Sequence, residues 1–527
     1  MGWDAKATGG NGTSLGMKTT ASGSDATAVG SYAQATKISA TAVGNTAAAT
    51  GNNAVAVGYA AKADQENDNA FGSQTHANGG GATAVGYLVN TTGNQAFGAG
   101  SNTTVSGTAA VGIGYSNEAS GDRAISIGSA YNGTKTAAIG DYSVALGSAA
   151  RASNEASIAI GKTTVASQTG ATAIGNGATA SKSDAIAMGT SATASESSAI
   201  ALGKSTQAKS SKSIAVGEGA IADGTATIAI GAGNNATGWG ATAVGKNVQV
   251  TRERSTGIGW DLTVDQSAAT LVGYNSQVHA NQGTGLGSTI NITSAAQYGT
   301  GIGYQVDVSG KNAVAIGSSG DTGTHTTASA TDAVSIGTAT VASGEAGTAI
   351  GKQAAASKAN AIAFGTSAAA SESSATAIGN GATASKVNTI AMGTSATASE
   401  TSATAIGNGA NASKDNAIAI GTNAAASDSA ATALGYGASA GNTGTVAIGY
   451  GANSAGYTSV AIGNSATATG STSVVIGDGA SSTVSLGTAL GKGAKVTHQD
   501  SVALGAASET AAATSTSTMT IAGKSYT

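Results

Sequence analysis

The 527-residue chain holds 80 glycines but no proline and no cysteine, which excludes disulfides, thiolate metal sites and cysteine nucleophiles. Its 40% hydrophobic fraction draws heavily on alanine, with only three phenylalanines and three tryptophans, so a thick core is excluded; 9% charged residues and a net charge of −4 fall short of the charge excess of a disordered chain. The weakly acidic balance offers no basic field for nucleic acid or anionic lipid, and no stretch approaches the roughly 18 apolar residues of a membrane span.

The chain opens on Met1-Gly2-Trp3-Asp4, without the basic and apolar regions of a signal peptide. Glycine then recurs every 14 residues, at Gly16, Gly30, Gly44, Gly58, Gly72 and Gly86. The same phase runs from Gly147 to Gly287 and from Gly337 to Gly505, about 35 units in all, which predicts a solenoid. The residue before each glycine is large and apolar (Val29, Ile160, Met188, Leu202, Phe364, Ile420), the residue two earlier is Val, Ile or Thr (Val55, Ile186, Thr242, Ile418), and a small residue such as Ala187 or Ala419 lies between. Period-two alternation with β-branched residues predicts a short strand, and the glycine a corner of positive φ or close backbone approach. Ala178 and Ala180, or Ala192 and Ala194, mark a second strand. The expected coil packs Ile and Val of the first strand on Ala of the second, leaving the small face of the first strand to meet two further copies. With coils stacked at about 4.8 Å, the roll would be about 170 Å long, and its thinness predicts oligomerisation.

The phase breaks between Gly128 and Gly147, between Gly287 and Gly303, and between Gly317 and Gly337, where extra residues are expected to leave as corner loops. The last of these opens with the polar insert 318–323. The period is lost over 506–527, so the roll is expected to span 1–505 and the Ser/Thr-rich remainder to be a connector.

Candidate chemistry is sparse. His76, His279, His325 and His498 are too far apart along a solenoid to form one cluster within a chain, and Asp64, Glu66 and Asp68 lack the glycine and distal glutamate of a calcium loop, reading instead as a solvated loop. No nucleophile elbow or phosphate loop is present, so an enzyme and a cofactor are not expected. Two patterns stand out. Lys358, Glu372, Lys386, Glu400, Lys414 and Asp428 stand seven residues before successive glycines, as do Lys182 and Glu196, a charge ladder that fixes register or forms a docking stripe. Tyr59, Tyr87, Tyr115, Tyr274, Tyr304, Tyr436 and Tyr450, seven of the 13 tyrosines, directly follow a repeat glycine, as does Trp260. They are candidate ligand contacts, with Trp260, Tyr274 and Tyr304 the leading patch, or rings shielding the coil below.

The unit Asn312-Ala313-Val314-Ala315-Ile316-Gly317-Ser318-Ser319 resembles the head repeat of YadA-like trimeric autotransporter adhesins, whose pattern is Asn-Ser-Val-Ala-Ile-Gly, one variable residue, then Ser. Thr458 through Ser465 and Asn360 through Ser367 match it closely, and repeats of this type cover roughly residues 10–505. Many units depart to Thr-Ala-Ile-Gly or Thr-Ala-Val-Gly. The resemblance implies an all-β, left-handed parallel β-roll of about 14 residues per coil, homotrimeric along its length, displayed at the bacterial surface through a neck, stalk and outer-membrane anchor of which no heptads or barrel strands are read here. It also implies binding to collagen, fibronectin or laminin, or self-association between cells. The alternatives are a non-binding spacer of a surface or phage fibre and an ice-binding solenoid. Ice binding needs an outward threonine on every rung, yet the position after the glycine reads Ser31, Asn45, Tyr59, Lys162 and Glu218, and Thr172 and Thr376 are expected to sit inward.

Overall fold

The computed structural model describes residues 2–319, 323–514 and 519–526, so part of the polar insert after Ser319 lies outside the described residues. Two compact units divide the chain, Met1–Ala268 and Ala269–Thr527. Each is a parallel β-solenoid, and the chain as a whole carries about 35 turns of about 14 residues.

Each coil contributes a three-residue strand and a two-residue strand. Thr27–Val29 pairs in register with Thr41–Val43, and Gln34–Ala35 with Ala48–Ala49, so each position of one coil lies beside the equivalent position of the next. The ladder continues through the corners: the Gly44 amide donates to Val29 at 2.7 Å and the Thr46 amide to Ser31 at 2.8 Å. Each unit therefore satisfies most of its backbone groups coil to coil, while corner bonds such as Ala47 to Gly44 at 3.3 Å close within a coil.

The corner glycines are forced by that stacking. Gly44 has φ 136°, and a Cβ there would lie 2.3 Å from the carbonyl oxygen of Gly58 in the next coil. No side chain fits between corners at rung spacing, and the φ itself is accessible essentially only to glycine. A second device was not legible in the repeat. Two residues after the glycine the chain enters the left-handed region with an ordinary residue, as at Tyr32 and Thr46, and seven residues later it does so again, as at Ser39 and Asn53. These two tight bends convert a 14-residue segment into a closed coil; Asn and Asp suit them and their side chains bridge coils, Asn11 to Asp25 at 3.0 Å and Asn247 to Asp261 at 2.9 Å.

The interior reverses the expected packing. Ala26 and Ala28 of the first strand face Ala33 and Ala35 of the second, all fully buried, and the same holds for Ala185, Ala187, Ala192 and Ala194. Ile and Val of the first strand point outward instead: Ile186 and Ile200 are half-buried, and Met188 is 41% exposed. Thr172 and Thr376, expected inward, occupy the same outward position. Alternation distinguishes two faces without saying which is the core. Here two strands joined by bends of a few residues lie so close that only methyl groups fit between them, and larger chains are displaced outward.

Where the inner residues grow, the facing strand shrinks. Over Thr242–Val250 and Thr256–Val264 the strands lengthen to nine residues, and Val248, Val250, Leu262 and Val264 fill the interior. Opposite them stands Gly257, where a Cβ would come within 2.7 Å of Val248 Cγ1. In the second unit Leu271 and Ile290 are matched by Gly285 and Gly301.

The breaks in phase are corner loops. After Gly128, residues Tyr131–Thr134 form a tight turn before the ladder resumes at Thr136–Ala138. Thr136 Oγ1 closes the loop by donating to Ser129 at 3.1 Å and to Gly147 at 2.7 Å. Thr326 does the same for the later insert, reaching Ser318 at 2.8 Å and Gly337 at 2.7 Å. The break between Gly287 and Gly303 leaves at the other corner, after Thr284–Ile292. Past Gly505, Glu509 still bridges Lys495, and Met519–Ile521 pairs antiparallel with Lys524–Tyr526.

Substituting Gly44→Ala is expected to destabilise the roll by at least about 1–3 kcal/mol, because strain in φ and contact with the next coil add. Thermal denaturation followed by circular dichroism reads this as a lower Tm; an unchanged Tm contradicts the close approach.

Candidate binding surfaces

Three surfaces follow from the coil. The first is the outward face of the first strand. In the first unit it presents Ile186, Ile200, Ile214 and Ile228 on successive coils, flanked by Met188, Leu202, Val216 and Ile230. In the second unit Ile362, Phe364, Ile390, Met392, Ile418 and Leu434 continue the pattern with Thr376, Thr404 and Thr432 interposed, and Phe364 is 52% exposed. The outward face of the second strand is mixed by contrast: Thr179, Thr193 and Gln207 stand between Val165 and Ile221 on successive coils, without an unbroken column of large apolar residues. Isolated exposed apolar residues are ordinary; a column continued on coil after coil within each unit is not.

The second surface is the corner after the repeat glycine, where every predicted aromatic is found exposed, Tyr450 at 62%. In the first unit Tyr59, Tyr87 and Tyr115 alternate with Ser73 and Ser101 on the intervening coils, as the corner bonds Gln74 to Tyr59, Leu88 to Ser73 and Asn102 to Tyr87 establish. Tyr274 and Tyr304 flank Ser288 in the same way in the second unit. Rings two rungs apart, at about 10 Å, leave a slot between them instead of stacking. Tyr436 and Tyr450 occupy adjacent coils and stack, with centroids 5.1 Å apart and planes 6° from parallel. Trp260, in the first unit, lies beneath Lys246, whose Nζ is 4.9 Å from the ring centroid.

The third surface is the charge ladder. Lys358, Glu372, Lys386, Glu400, Lys414 and Asp428 recur at one corner of successive coils, the lysines exposed and the carboxylates half-exposed. Ion pairs between neighbouring coils are formed elsewhere, Lys204 to Glu218 at 2.9 Å and Lys495 to Glu509 at 3.2 Å, all at exposed positions where a pair contributes about 0–1 kcal/mol.

Several arrangements were missed. Arg123 Nη1 donates to Tyr142 Oη at 2.6 Å, Arg254 covers Trp239 at 5.0 Å, and Lys18 lies between Trp3 and Tyr32. Each joins residues about one coil apart, a separation that the 14-residue period exposes once side chains are compared across coils. The acidic stretch is a solvated loop only in part: Glu66 is exposed, but Asp68 is fully buried and accepts the amides of Gln65 at 2.8 Å and Ala82 at 2.9 Å, while Asp64 pairs with His76 at 2.6 Å. Asp307 pairs with His325 similarly at 2.5 Å. Among the described residues no three His, Asp or Glu side chains converge as a metal site would require.

Removing the Asp68 carboxylate by Asp68→Ala leaves the buried Ala82 amide and the part-buried Gln65 amide without their acceptor and is expected to cost about 1–3 kcal/mol, with faster hydrogen exchange localised at Ala82. Unchanged exchange there contradicts the capping role.

A family model described as "YadA head domain repeat (2 copies)" matches the chain repeatedly, over 7–68, 70–88 and 106–130, over 138–247, and over 328–354, 356–382, 384–452, 454–480 and 486–508. No curated protein matches. The unmatched stretch between 247 and 328 contains the nine-residue strands with the Val–Gly interior, such as Thr256–Val264 and Thr300–Val308. With matches over most of its length and the repeat glycine at the corner of each matched coil, the chain belongs to the YadA head family of trimeric autotransporter adhesins.

Proposed function

We propose that three copies of this chain join through the outward Ile/Val face of the first strand, as a left-handed roll, and that the joined heads act as a non-catalytic adhesin at the bacterial surface. The observation that carries this reading is the apolar column itself. Half-buried in one chain, each column side chain would gain about 1 kcal/mol on being covered, and the gain repeats on every coil. The contact between copies thus runs through the large residues of the first strand, not through its small ones, which are interior.

Display would follow from the anchor that family members carry. The partners the family suggests are matrix proteins such as collagen, fibronectin or laminin, or heads on a neighbouring cell. The corner aromatics support that reading. Tyr59, Tyr87 and Tyr115, Tyr274 and Tyr304, and the stacked Tyr436 and Tyr450 are exposed in repeating order, with Trp260 at the same corner. A repeated partner would engage several of them at once, and multivalency raises apparent affinity by about 10²–10⁴ without any single tight site. The charge ladder from Lys358 to Asp428 would add a salt-sensitive stripe along another corner.

Sedimentation equilibrium of the purified chain is expected to return the mass of three copies, and Ile200→Asp with Ile214→Asp to shift it toward single chains; a wild-type protein that sediments as one folded chain removes the trimer. In a solid-phase panel of collagen, fibronectin and laminin, saturable binding is expected to fall severalfold with Tyr274→Ala and Tyr304→Ala, and again with Trp260→Ala. A trimer that binds no matrix protein and aggregates no cells would instead be a spacer.

A further inference from the structure

We propose that Asn132 is a modification site, converted spontaneously to aspartate and isoaspartate in the folded protein. Six asparagines precede glycine: Asn11, Asn78, Asn132, Asn176, Asn380 and Asn408. Glycine on the C-terminal side leaves the following amide nitrogen sterically open to attack the side-chain carbonyl, so chemistry alone makes all six equally vulnerable. The fold separates them.

In Asn176-Gly177, Asn380-Gly381 and Asn408-Gly409 the glycine amide is held in the coil-to-coil ladder, donating to Lys162, Thr366 and Thr394 respectively, each at 2.9 Å. The Gly12 amide donates to Gly9 at 3.2 Å. Asn78 is half-buried with its Oδ1 bonded to Gln65 at 3.1 Å, and Gly79 is packed so closely that a Cβ would fall 2.1 Å from the oxygen of Gly93. Asn132-Gly133 alone stands at the tip of an inserted loop. Both residues are exposed with positive φ, 48° and 76°, a primed turn. A Cβ on Gly133 would meet nothing within 4 Å, and among the described residues its amide has no acceptor. The reciprocal bonds between Tyr131 and Thr134, at 2.9 and 3.0 Å, hold the turn, and among the described residues no backbone bond from a neighbouring rung reaches Asn132 or Gly133 at its tip. Such a turn opens locally at small cost, freeing the backbone to rotate into the attacking geometry.

The step needs only water. The Gly133 nitrogen gives up its proton and bonds to Asn132 Cγ; the Cγ–Nδ2 bond breaks, and ammonia leaves with a proton taken from solvent. Water then adds to either carbonyl of the five-membered imide and reopens it, giving aspartate or, with the chain rerouted through the side chain, isoaspartate. Nothing is oxidised or reduced. The product places a new negative charge beside Tyr131, whose ring Lys162 covers at 3.7 Å.

The test is peptide mass spectrometry after the whole native chain is aged at mildly alkaline pH, with the same chain aged in concentrated denaturant as reference. In the native protein the peptide containing Asn132 is expected to gain the mass of amide-to-acid conversion severalfold faster than those containing Asn176, Asn380 and Asn408. In denaturant the peptides should convert at comparable rates. Gly133→Val is expected to slow conversion at position 132 severalfold in both. An Asn132 peptide that stays amidated in the native chain, or converts no faster than the three ladder-bound sites, overturns the proposal.

Discussion

The structure depends on one steric constraint: successive corners approach so closely that no β-carbon fits between them. Gly44 and Gly58 illustrate it, and the same contact recurs at corner after corner within each unit. Glycine is therefore a spacer that sets how near one rung lies to the next, and only at that distance do the corner amides reach the preceding coil. The left-handed bends two and nine residues later are strained for residues such as Thr46 and Ser39. They persist because hydrogen bonds above and below hold them.

A coil this flat has room inside for methyl groups and little else. That explains the alanine content and the placing of Ile186, Met188 and Phe364 on the outer face, where they are incompletely covered. It also explains the compensating glycines at Gly257, Gly285 and Gly301, each facing a larger inner side chain. The short-range packing that stabilises each chain thus generates, as a by-product, an apolar column suited to other chains. Stability and assembly become one problem in such a roll, since each coil contacts only its neighbours and gains little from the rest of the chain.

Period, corner glycines and both strands were legible in the sequence because they repeat, and repetition converts weak local preferences into a phased signal. The aromatics at Tyr59, Tyr87 and Tyr115 were legible for the same reason. What alternation concealed was direction. Burial preference places Ile186 inside and leaves Ala187 to an outer face, and only the limited depth between strands reverses that order. Asp68 and Asp64 were likewise opaque, because the amide of Ala82 and the ring of His76 that they engage belong to the following coil. Contacts between coils become readable only when the chain is folded back at its period; residues adjacent in sequence point elsewhere.

Because the chain contains no cysteine, a single introduced thiol reports on one position without background. Ile200 lies on the outward face of the first strand and Thr193 on the outward face of the second, both partly exposed in one chain, so neither substitution disturbs the alanine interior. The most direct measurement compares disulfide or short bifunctional cross-linking of Ile200→Cys and Thr193→Cys in the native protein. Efficient linkage between copies through position 200, with position 193 left freely reactive, is the predicted result. Linkage through 193 with an unlinked, freely labelled thiol at 200 would contradict the assignment of the Ile/Val face as the surface that joins the copies.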